Sequence, residues 1–186
     1  MTHASARGDG VASDDCSIRN ARDEDAPILA AAEREIARIP GRLASRPDEL
    51  GDEVFREKIL KLSTGERGVY LVAEDGGRIV GHAFVERHSL AVTSHVVALT
   101  VAVHEGSQGR GFGRRLLNEL IRWSTSNPNV EKIELHVRSS NHRAIALYES
   151  LGFVEEGRKT KRLKLGPDDY LDDVYMALWV GRPYPR

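Results

Sequence analysis

The stretch that decides the fold is VAVHEGSQGRGFGR, residues 101–114, where an apolar run ends at a glycine-rich turn and a helical pattern begins. Because glycine has no Cβ, a turn built from Gly109, Gly111 and Gly113 can direct several consecutive backbone N–H groups towards one point. The helix that follows adds its own free N–H groups and the positive end of its dipole. This order of strand, turn and helix is typical of a diphosphate-binding site.

Two common diphosphate motifs do not fit this turn. The dinucleotide pattern G-x-G-x-x-G would require a glycine where the chain has Arg114, and a nucleotide P-loop would require Lys and then Ser or Thr after Gly113. The pattern that the chain does contain is Q-x-x-G-x-G, at residues 108–113. It resembles the acyl-coenzyme A signature of the GNAT superfamily of N-acetyltransferases.

Two further stretches carry the same resemblance. Residues 133–157, IELHVRSSNHRAIALYESLGFVEEG, resemble the second conserved block of that superfamily, and residues 171–180, LDDVYMALWV, resemble its closing strand. Together the resemblance covers about half of the chain in the family's order. The pattern is most similar to bacterial amino-acid and aminoacyl acetyltransferases, and the segments V-R-x-S-N and A-I-A-L-Y-E-S-L-G-F resemble ribosomal-protein alanine acetyltransferases.

The resemblance implies an α/β (α+β) fold, a single GNAT domain whose mixed, mostly antiparallel sheet of about seven strands is flanked by about four helices. The apolar periodicity along the chain agrees with this fold class. Asp23 and Asn141 are predicted to cap helices. The predicted helices are residues 23–39, 52–62, the segment after the glycines and 144–151, and the predicted strands are residues 16–21, 68–73, 78–87, 94–103, 132–138, 153–165 and 170–180.

Length and composition favour one soluble domain. Of the 186 residues, residues 16–181 are predicted to form the acetyltransferase domain, between a flexible N-terminal tail, residues 1–15, and a C-terminal tail, residues 182–186. The net charge of -1 argues against a nucleic-acid partner. The chain has neither a long apolar run nor a signal-peptide pattern. We therefore expect no membrane partner and a cytoplasmic location. Cys16 is the only cysteine, which excludes an internal disulfide. The sequence leaves open whether the protein forms a homodimer.

The resemblance also implies acetyl-CoA as the cosubstrate. The amides of residues 109–114 would hold its pyrophosphate, and backbone groups of Val101 and Val103 would bond its pantetheine arm. A backbone N–H near Val101 or Ala102 would polarise the thioester carbonyl. Arginines after the glycines would either add charge beside the phosphates or form a solvated helix face. The implied cofactor-binding residues are Val101, Ala102, Val103, Gln108, Gly109, Arg110, Gly111, Phe112, Gly113, Arg114, Asn141 and Tyr148.

Tyr148 and His136 are the candidate catalytic residues. The resemblance implies that Tyr148 protonates the departing thiolate, and a phenol with a pKa near 10 carries its proton at neutral pH. Alternatively, Tyr148 only packs within the apolar face of its helix. His136 is the candidate general base, at a position where the ribosomal-protein acetyltransferases carry Glu. Glu134 acting through a water is one alternative, and loss of the amine proton to solvent is another.

The implied reaction is direct transfer, without an acyl-enzyme, to the primary amine of a small molecule such as an amino acid or aminoacyl compound. A polyamine or a protein N-terminus is the alternative acceptor, and a non-catalytic acetyl-CoA-binding module is the alternative of another class. Residues 42–50 and 168–171 are predicted to border the acceptor pocket. Asp172 or Asp173 would either hold a cationic amine or lie in a solvated hairpin. The histidines lack close metal-ligand spacing, so no metal is predicted.

Overall fold

The computed structural model describes residues 16–181, so the two predicted tails lie outside the described residues. None of the helices in this range is long and apolar enough to cross a membrane. In chain order, the strands and α-helices are β1 (Ser17–Asn20), α1 (Ala26–Ala37), α2 (Asp52–Leu62), β2 (Gly68–Asp75), β3 (Arg78–Arg87), β4 (Val96–Val103), α3 (Phe112–Ser126), β5 (Lys132–Arg138), α4 (His142–Glu149), β6 (Val154–Lys164) and β7 (Tyr170–Trp179).

The strands form one seven-stranded sheet in the order β1-β2-β3-β4-β5-β7-β6. All neighbouring strands are antiparallel except β4 and β5, which are parallel. The hairpin between β2 and β3 turns at Gly76 and Gly77, whose φ angles of +56° and +76° suit glycine at both positions. The predicted mixed and mostly antiparallel sheet of about seven strands is therefore confirmed.

Two helical layers cover opposite faces of the sheet. Side chains of a strand alternate between faces, so Ile133 and Leu135 of β5 point together towards α3, where they join Leu116, Leu117 and Leu120 in one core. α1 and α2 lie over β2 and β3 on the other face. The second core is formed there by Ala26, Leu29, Ala30, Leu50, Phe55, Ile59, Leu62, Tyr70 and Val72.

The start of α1 differs from the prediction. Asp23 begins a short 3-10 turn instead of capping the helix, and α1 begins at Ala26. The carboxylate of Asp25 accepts a hydrogen bond from the Arg22 N–H at 2.7 Å and so closes the turn. Because this local bond competes with a cap at Asp23, the helix starts three residues later than the acidic cluster suggests.

The buried face of α1 does not consist of its largest apolar side chains alone. Ile28 in α1 and Ile39 just beyond its end are 49% and 38% exposed. Small side chains are buried in their place, which allows the helix to lie close to the sheet. The buried residues of α1 are Ala26, Leu29, Ala30 and Ile36.

The start of α4 follows its predicted cap. The side-chain oxygen of Asn141 accepts a hydrogen bond from the Ala144 N–H at 3.2 Å. Because this bond satisfies a free N–H of the first turn, α4 begins at His142, two residues before the predicted start. Gly152, with φ of +92°, lies just beyond its C-terminus.

Candidate active site

β4 and β5 are paired only at their N-terminal ends. Their register covers residues 96–98 of β4 and residues 132–134 of β5, whereas β4 continues to Val103 and β5 to Arg138. The C-terminal halves of the two strands therefore separate, and a cleft opens in the middle of the sheet. Since the glycine-rich turn follows β4 directly, the cleft leads to that turn.

The backbone groups of β4 alternate between β3 and the cleft. On the side of β3, the Val96 carbonyl accepts a hydrogen bond at 3.1 Å and the His104 N–H donates one at 2.9 Å. Successive residues of a strand point their backbone groups in opposite directions, so those of Val101 and Val103 face the cleft and those of Ala102 face β3. An extended ligand in the cleft can therefore bond Val101 and Val103, and Val101 rather than Ala102 offers it an N–H.

The glycine-rich turn requires glycine at two positions. Gly109 and Gly111 both have φ of +88°, a conformation that residues with a side chain rarely adopt. Gly111 is the N-cap residue of α3, whose first N–H groups have no partner inside the helix. Gly113 differs because it lies inside α3, where a Cβ would be 3.5 Å from a methyl group of Val103. Turn and helix end together form a site suited to an anion.

A cavity of about 380 Å³ lies where the cleft meets the turn. Ala102, Arg110 and His136 do not line it, although they were predicted as site residues. Two arginines that were not singled out for the cofactor do line it: Arg42, from the loop between α1 and α2, and Arg143, near the start of α4. The predicted site residues in its wall are Val101, Val103, Gln108, Gly109, Gly111, Phe112, Gly113, Arg114, Asn141 and Tyr148.

The arginines after the glycines point in different directions. Arg110 pairs with Asp75 at 2.8 Å, and its guanidinium lies 5.0 Å from the centre of the Phe112 ring, so its side chain is used at the end of β2. Arg115 reaches a backbone carbonyl near β1. Arg114 stays in the cavity wall and donates a hydrogen bond to Ser150. Local spacing alone does not distinguish these three directions.

Arg143 supplies a positive charge beside the turn. A Cβ placed on Gly109 would lie 3.2 Å from the Arg143 guanidinium, which shows how closely α4 approaches the glycines. Its position two residues after Asn141 is the sequence signal that could have identified it.

Tyr148 combines the two roles that the sequence left open. It is 7% exposed and packs against Phe153, with 5.7 Å between the ring centres, yet it also lines the cavity. Among the residues described, its hydroxyl has no hydrogen-bond partner in the protein. Burial raises the pKa of Tyr148 to about 12, so the phenol is protonated at neutral pH. Its packing and a role as proton donor are therefore compatible.

His136 and Glu134 are less favourably placed as bases. His136 is exposed and stacks on Tyr175, with 5.7 Å between the ring centres. Partial desolvation of the ring, together with the charges of nearby Arg138, Arg162 and Lys159, lowers the pKa of His136 below its usual value. The carboxylate of Glu134 already accepts a hydrogen bond from Lys132 at 2.9 Å.

The two segments predicted to border the acceptor pocket meet in space. Gly41, in the loop between α1 and α2, has φ of +78°, and a Cβ there would lie 2.5 Å from Leu171 and 3.3 Å from Leu165. This loop therefore packs against the end of the β6–β7 hairpin where the turn connects the two strands.

The aspartates of this hairpin are engaged within the protein. Asp173 is buried and pairs with Arg138 of β5. Asp172 accepts a hydrogen bond from the Lys161 N–H at 2.7 Å, at the point where β6 has an irregularity. Asp173 is therefore compensated by Arg138, whereas a role of the half-buried Asp172 in holding an acceptor amine stays a prediction.

A hydrogen-bonded series of the titratable side chains Glu33, His82 and His104 links α1 to the end of β4. The sequence does not reveal this series. His104 lies 3.1 Å from the Ile79 carbonyl oxygen through Nδ1 and 3.2 Å from His82 Nδ1 through Nε2. His82 Nε2 lies 2.9 Å from the Glu33 carboxylate. Burial, with the neighbouring His82, lowers the pKa of His104 to about 4. Because a carbonyl oxygen only accepts, His104 donates to Ile79 through Nδ1, and its Nε2 accepts the hydrogen bond from His82 Nδ1.

Residues 30–153 match the family model described as the acetyltransferase (GNAT) family. The chain belongs to the GNAT family. The matched residues include both strands of the cleft, the glycine-rich turn and Tyr148. The resemblance predicted from the sequence is thereby confirmed.

Three GNAT relatives are similar to parts of the chain. N-alpha-acetyltransferase RimI of Mycobacterium tuberculosis is 35% identical over 102 residues, which are 54% of this chain and 62% of that protein. L-amino acid N-acetyltransferase AaaT of Escherichia coli is 34% identical over 107 residues, 58% of this chain and 65% of that protein. The [ribosomal protein bS18]-alanine N-acetyltransferase of Escherichia coli is 35% identical over 126 residues, 67% of this chain and 80% of that protein. The chain thus matches less than two thirds of the length of the first two.

A solved structure shares the fold. The structure of yncA, described as a putative acetyltransferase from Salmonella typhimurium with its cofactor acetyl-CoA, has a TM-score of 0.77 to this chain. The match covers 92% of this chain and 98% of the yncA chain, at 23% sequence identity.

Proposed function

We propose that this GNAT chain transfers an acetyl group from acetyl-CoA directly to the primary amine of a small molecule. The observation that carries the proposal is the cleft between β4 and β5, with the outward backbone of Val101 and Val103 on one side, the glycine-rich turn at its end and Tyr148 in its wall. An extended pantetheine arm can bond to a strand, whereas a diphosphate needs convergent N–H groups. This cleft offers a strand edge and convergent N–H groups one after the other.

In this proposal, the diphosphate lies at the turn formed by Gly109 and Gly111 and at the N-terminus of α3. Arg114 and Arg143 supply positive charge, because both line the cavity and neither has a carboxylate partner among the described residues. Arg110 contributes only its backbone amide. Asn141, besides capping α4, faces the same cavity and contacts the pantetheine arm.

The chemical step needs a polarised thioester and a proton for the leaving group. The amine nitrogen attacks the carbonyl carbon, a C–N bond forms, and the carbonyl electrons move to the oxygen. The Val101 N–H, which faces the cleft, donates a hydrogen bond to this developing oxyanion. When the C–S bond breaks, the electron pair stays on sulfur, and the Tyr148 hydroxyl protonates it. The high pKa of Tyr148 keeps that proton available throughout the neutral range.

The amine must lose a proton before or during attack. His136 does not line the cavity, and Glu134 is paired with Lys132. We therefore assign this proton to solvent, with His136 as the rival acceptor that a pH profile separates from it.

Release of free thiol from acetyl-CoA tests the proposal. Wild type and Tyr148→Phe are incubated with neutral L-amino acids, their amides, spermidine and short peptides. Thiol release with at least one amine, and its loss in the variant, is the expected result. If acetyl-CoA binds in calorimetry but no amine releases thiol, a non-catalytic acetyl-CoA-binding module is the correct description.

A further inference from the structure

Three arginines, and no aspartate or glutamate, are among the described residues that line the cavity. Arg114 belongs to α3 and Arg143 to α4, the two helices that also flank the glycine-rich turn. Arg42 comes instead from the loop between α1 and α2, in the layer on the other face of the sheet. Two of the three arginines therefore belong to the helices beside the turn, whereas Arg42 reaches the cavity from the other helical layer.

Arg42 is without an ion-pair partner in the part of the chain that the structure describes. Two other arginines nearby are paired: Arg34 with Asp52 at 2.7 Å, and Arg38 with Glu35 at 2.5 Å. An unpaired guanidinium in a cavity wall is available to an anionic ligand, and its planar pair of N–H donors matches the geometry of a carboxylate.

The backbone at the base of Arg42 is fixed by packing. The preceding residue, Gly41, adopts a positive φ and lies against Leu165 and Leu171 of the β6–β7 hairpin, where a Cβ would not fit. The loop therefore fixes the backbone position from which the exposed side chain of Arg42 extends along the cavity wall.

The surface of β5 and β6 near the cleft adds further positive charge. Arg138, Arg162 and Lys159 each act on His136, as the lowered pKa of its ring indicates after the larger effect of desolvation. Arg138 is compensated by Asp173, but within residues 16–181 neither Arg162 nor Lys159 forms an ion pair. Such a surface attracts an anion and repels a polycation.

We infer that Arg42 binds a carboxylate that the acceptor carries beside its reacting amine. This inference rests on the proposed function and names its substrate class: an amino acid, in which amine and carboxylate lie on the same carbon. A polyamine has no carboxylate, and the first carboxyl group of a protein N-terminus is part of a peptide bond. Both fit this wall less well than an amino acid.

Amino acids and their amides provide the test, since each pair differs only in the carboxylate and the amide imitates the start of a peptide. L-leucine with L-leucine amide, and L-methionine with L-methionine amide, are compared in wild type and in Arg42→Gln, which removes the charge and keeps a polar side chain. Each acceptor is compared with itself across the variants, so differences in amine pKa cancel.

We expect Arg42→Gln to lower kcat/KM about tenfold or more for the amino acids, because one charge-assisted pair with the carboxylate is lost. For the amides, which have no carboxylate, we expect kcat/KM to fall less than about twofold. Arg42→Lys should recover part of the activity towards the amino acids because it keeps the charge. Arg67→Gln is the matched control, because this exposed arginine lies between α2 and β2, outside both the loop of Arg42 and the cavity wall, and it should change neither class.

Three results would overturn the inference. An equal loss for acids and amides, with a raised KM for acetyl-CoA, would place Arg42 on a phosphate of the cosubstrate. No loss for either class would leave it without a binding role. Wild-type activity on spermidine or peptides only would exclude an amino-acid acceptor while the transferase function stands. If the wild type releases thiol with no amine at all, the proposed function itself fails.

Discussion

The proposed cofactor side and the proposed acceptor side of this molecule are built in different ways. The proposed cofactor side consists of residues 101–114 together with α4 and offers mainly backbone groups: the edge of β4, the turn and a helix N-terminus. The acceptor side joins the loop between α1 and α2 to the β6–β7 hairpin, two segments far apart in sequence that meet at Gly41. The groups proposed to bind the acceptor there are side chains such as Arg42.

This difference has a consequence for specificity. Backbone groups do not change with the side chain, so the cofactor side can keep one ligand while surrounding residues vary. Side chains on packed loops can change singly and redirect the acceptor site. Substitutions on the cofactor side should therefore affect every acceptor alike, whereas those on the acceptor side should separate one acceptor from another.

The largest expected effect is on the chemical step. Tyr148→Phe removes only the hydroxyl, which has no partner in the described part of the protein, and keeps the packing against Phe153. We expect kcat to fall roughly 100-fold or more for all acceptors, with little change in acetyl-CoA affinity or thermal stability. Steady-state kinetics and calorimetry measure both. Turnover at the wild-type rate would reduce Tyr148 to a core residue.

A smaller effect is expected at the turn, where the chain offers a matched control. Gly111 and Gly106 both have positive φ, and a Cβ at either position meets no atom within 4 Å, but only Gly111 lines the cavity. Gly111→Val and Gly106→Val therefore carry similar backbone strain. Gly111→Val should weaken acetyl-CoA binding at least about tenfold because its side chain blocks the approach of the diphosphate.

Binding calorimetry of the folded variants decides this point. Equal losses in the two variants would mean that strain alone is responsible, and the turn would not be the phosphate site.

The third comparison separates two arginines of the cofactor side. Arg143 lines the cavity, whereas Arg110 is paired with Asp75. Arg143→Gln should weaken acetyl-CoA binding several-fold, by the roughly 1 kcal/mol of one partly exposed charged contact, and Arg110→Gln should leave binding nearly unchanged. Calorimetry at two salt concentrations measures both, since a phosphate contact weakens with salt. The reverse ranking would restore Arg110 as the phosphate ligand.

The smallest effect is expected at His136. Its pKa is lowered from 6.5, so the imidazole loses its proton below that pH and is neutral from there upwards. A His136 base would produce a limb in which kcat/KM rises with pH through this lowered pKa. We expect no such limb, a change of less than about twofold in His136→Ala, and a profile that follows the amine pKa of each acceptor.

Two acceptors of different pKa make the distinction. A limb that stays at one pH for both acceptors and disappears in His136→Ala would identify His136 as the base.

Elements with strong local signals were predicted closely. The bounds of α2 and β5 agree with the structure residue for residue, because each has clear apolar periodicity. Asn141 was recognised as a cap because it precedes a helical pattern directly. At Asp23 the same rule was wrong, since three acidic residues in succession offer several possible caps and Asp25 makes the decisive bond.

Side-chain directions around the site could not be predicted to the same extent. Arg110, Arg114 and Arg115 lie in one short segment, yet one points to Asp75, one into the cavity wall and one towards Cys16. Asp173 was a possible amine ligand until its burial against Arg138 was known. In each case the partner comes from a distant strand that local spacing does not identify.

The sequence by itself determined the family, the alternation of strands and helices, the glycine turn and the position of Tyr148, because these depend on backbone conformation and on contacts between near neighbours in the chain. The tertiary structure alone decided where β4 and β5 separate, which arginines line the cavity, and that Glu33, His82 and His104 form one hydrogen-bonded series. Those features depend on packing between segments far apart in sequence, and long, flexible charged side chains take their direction from whichever partner the fold brings near.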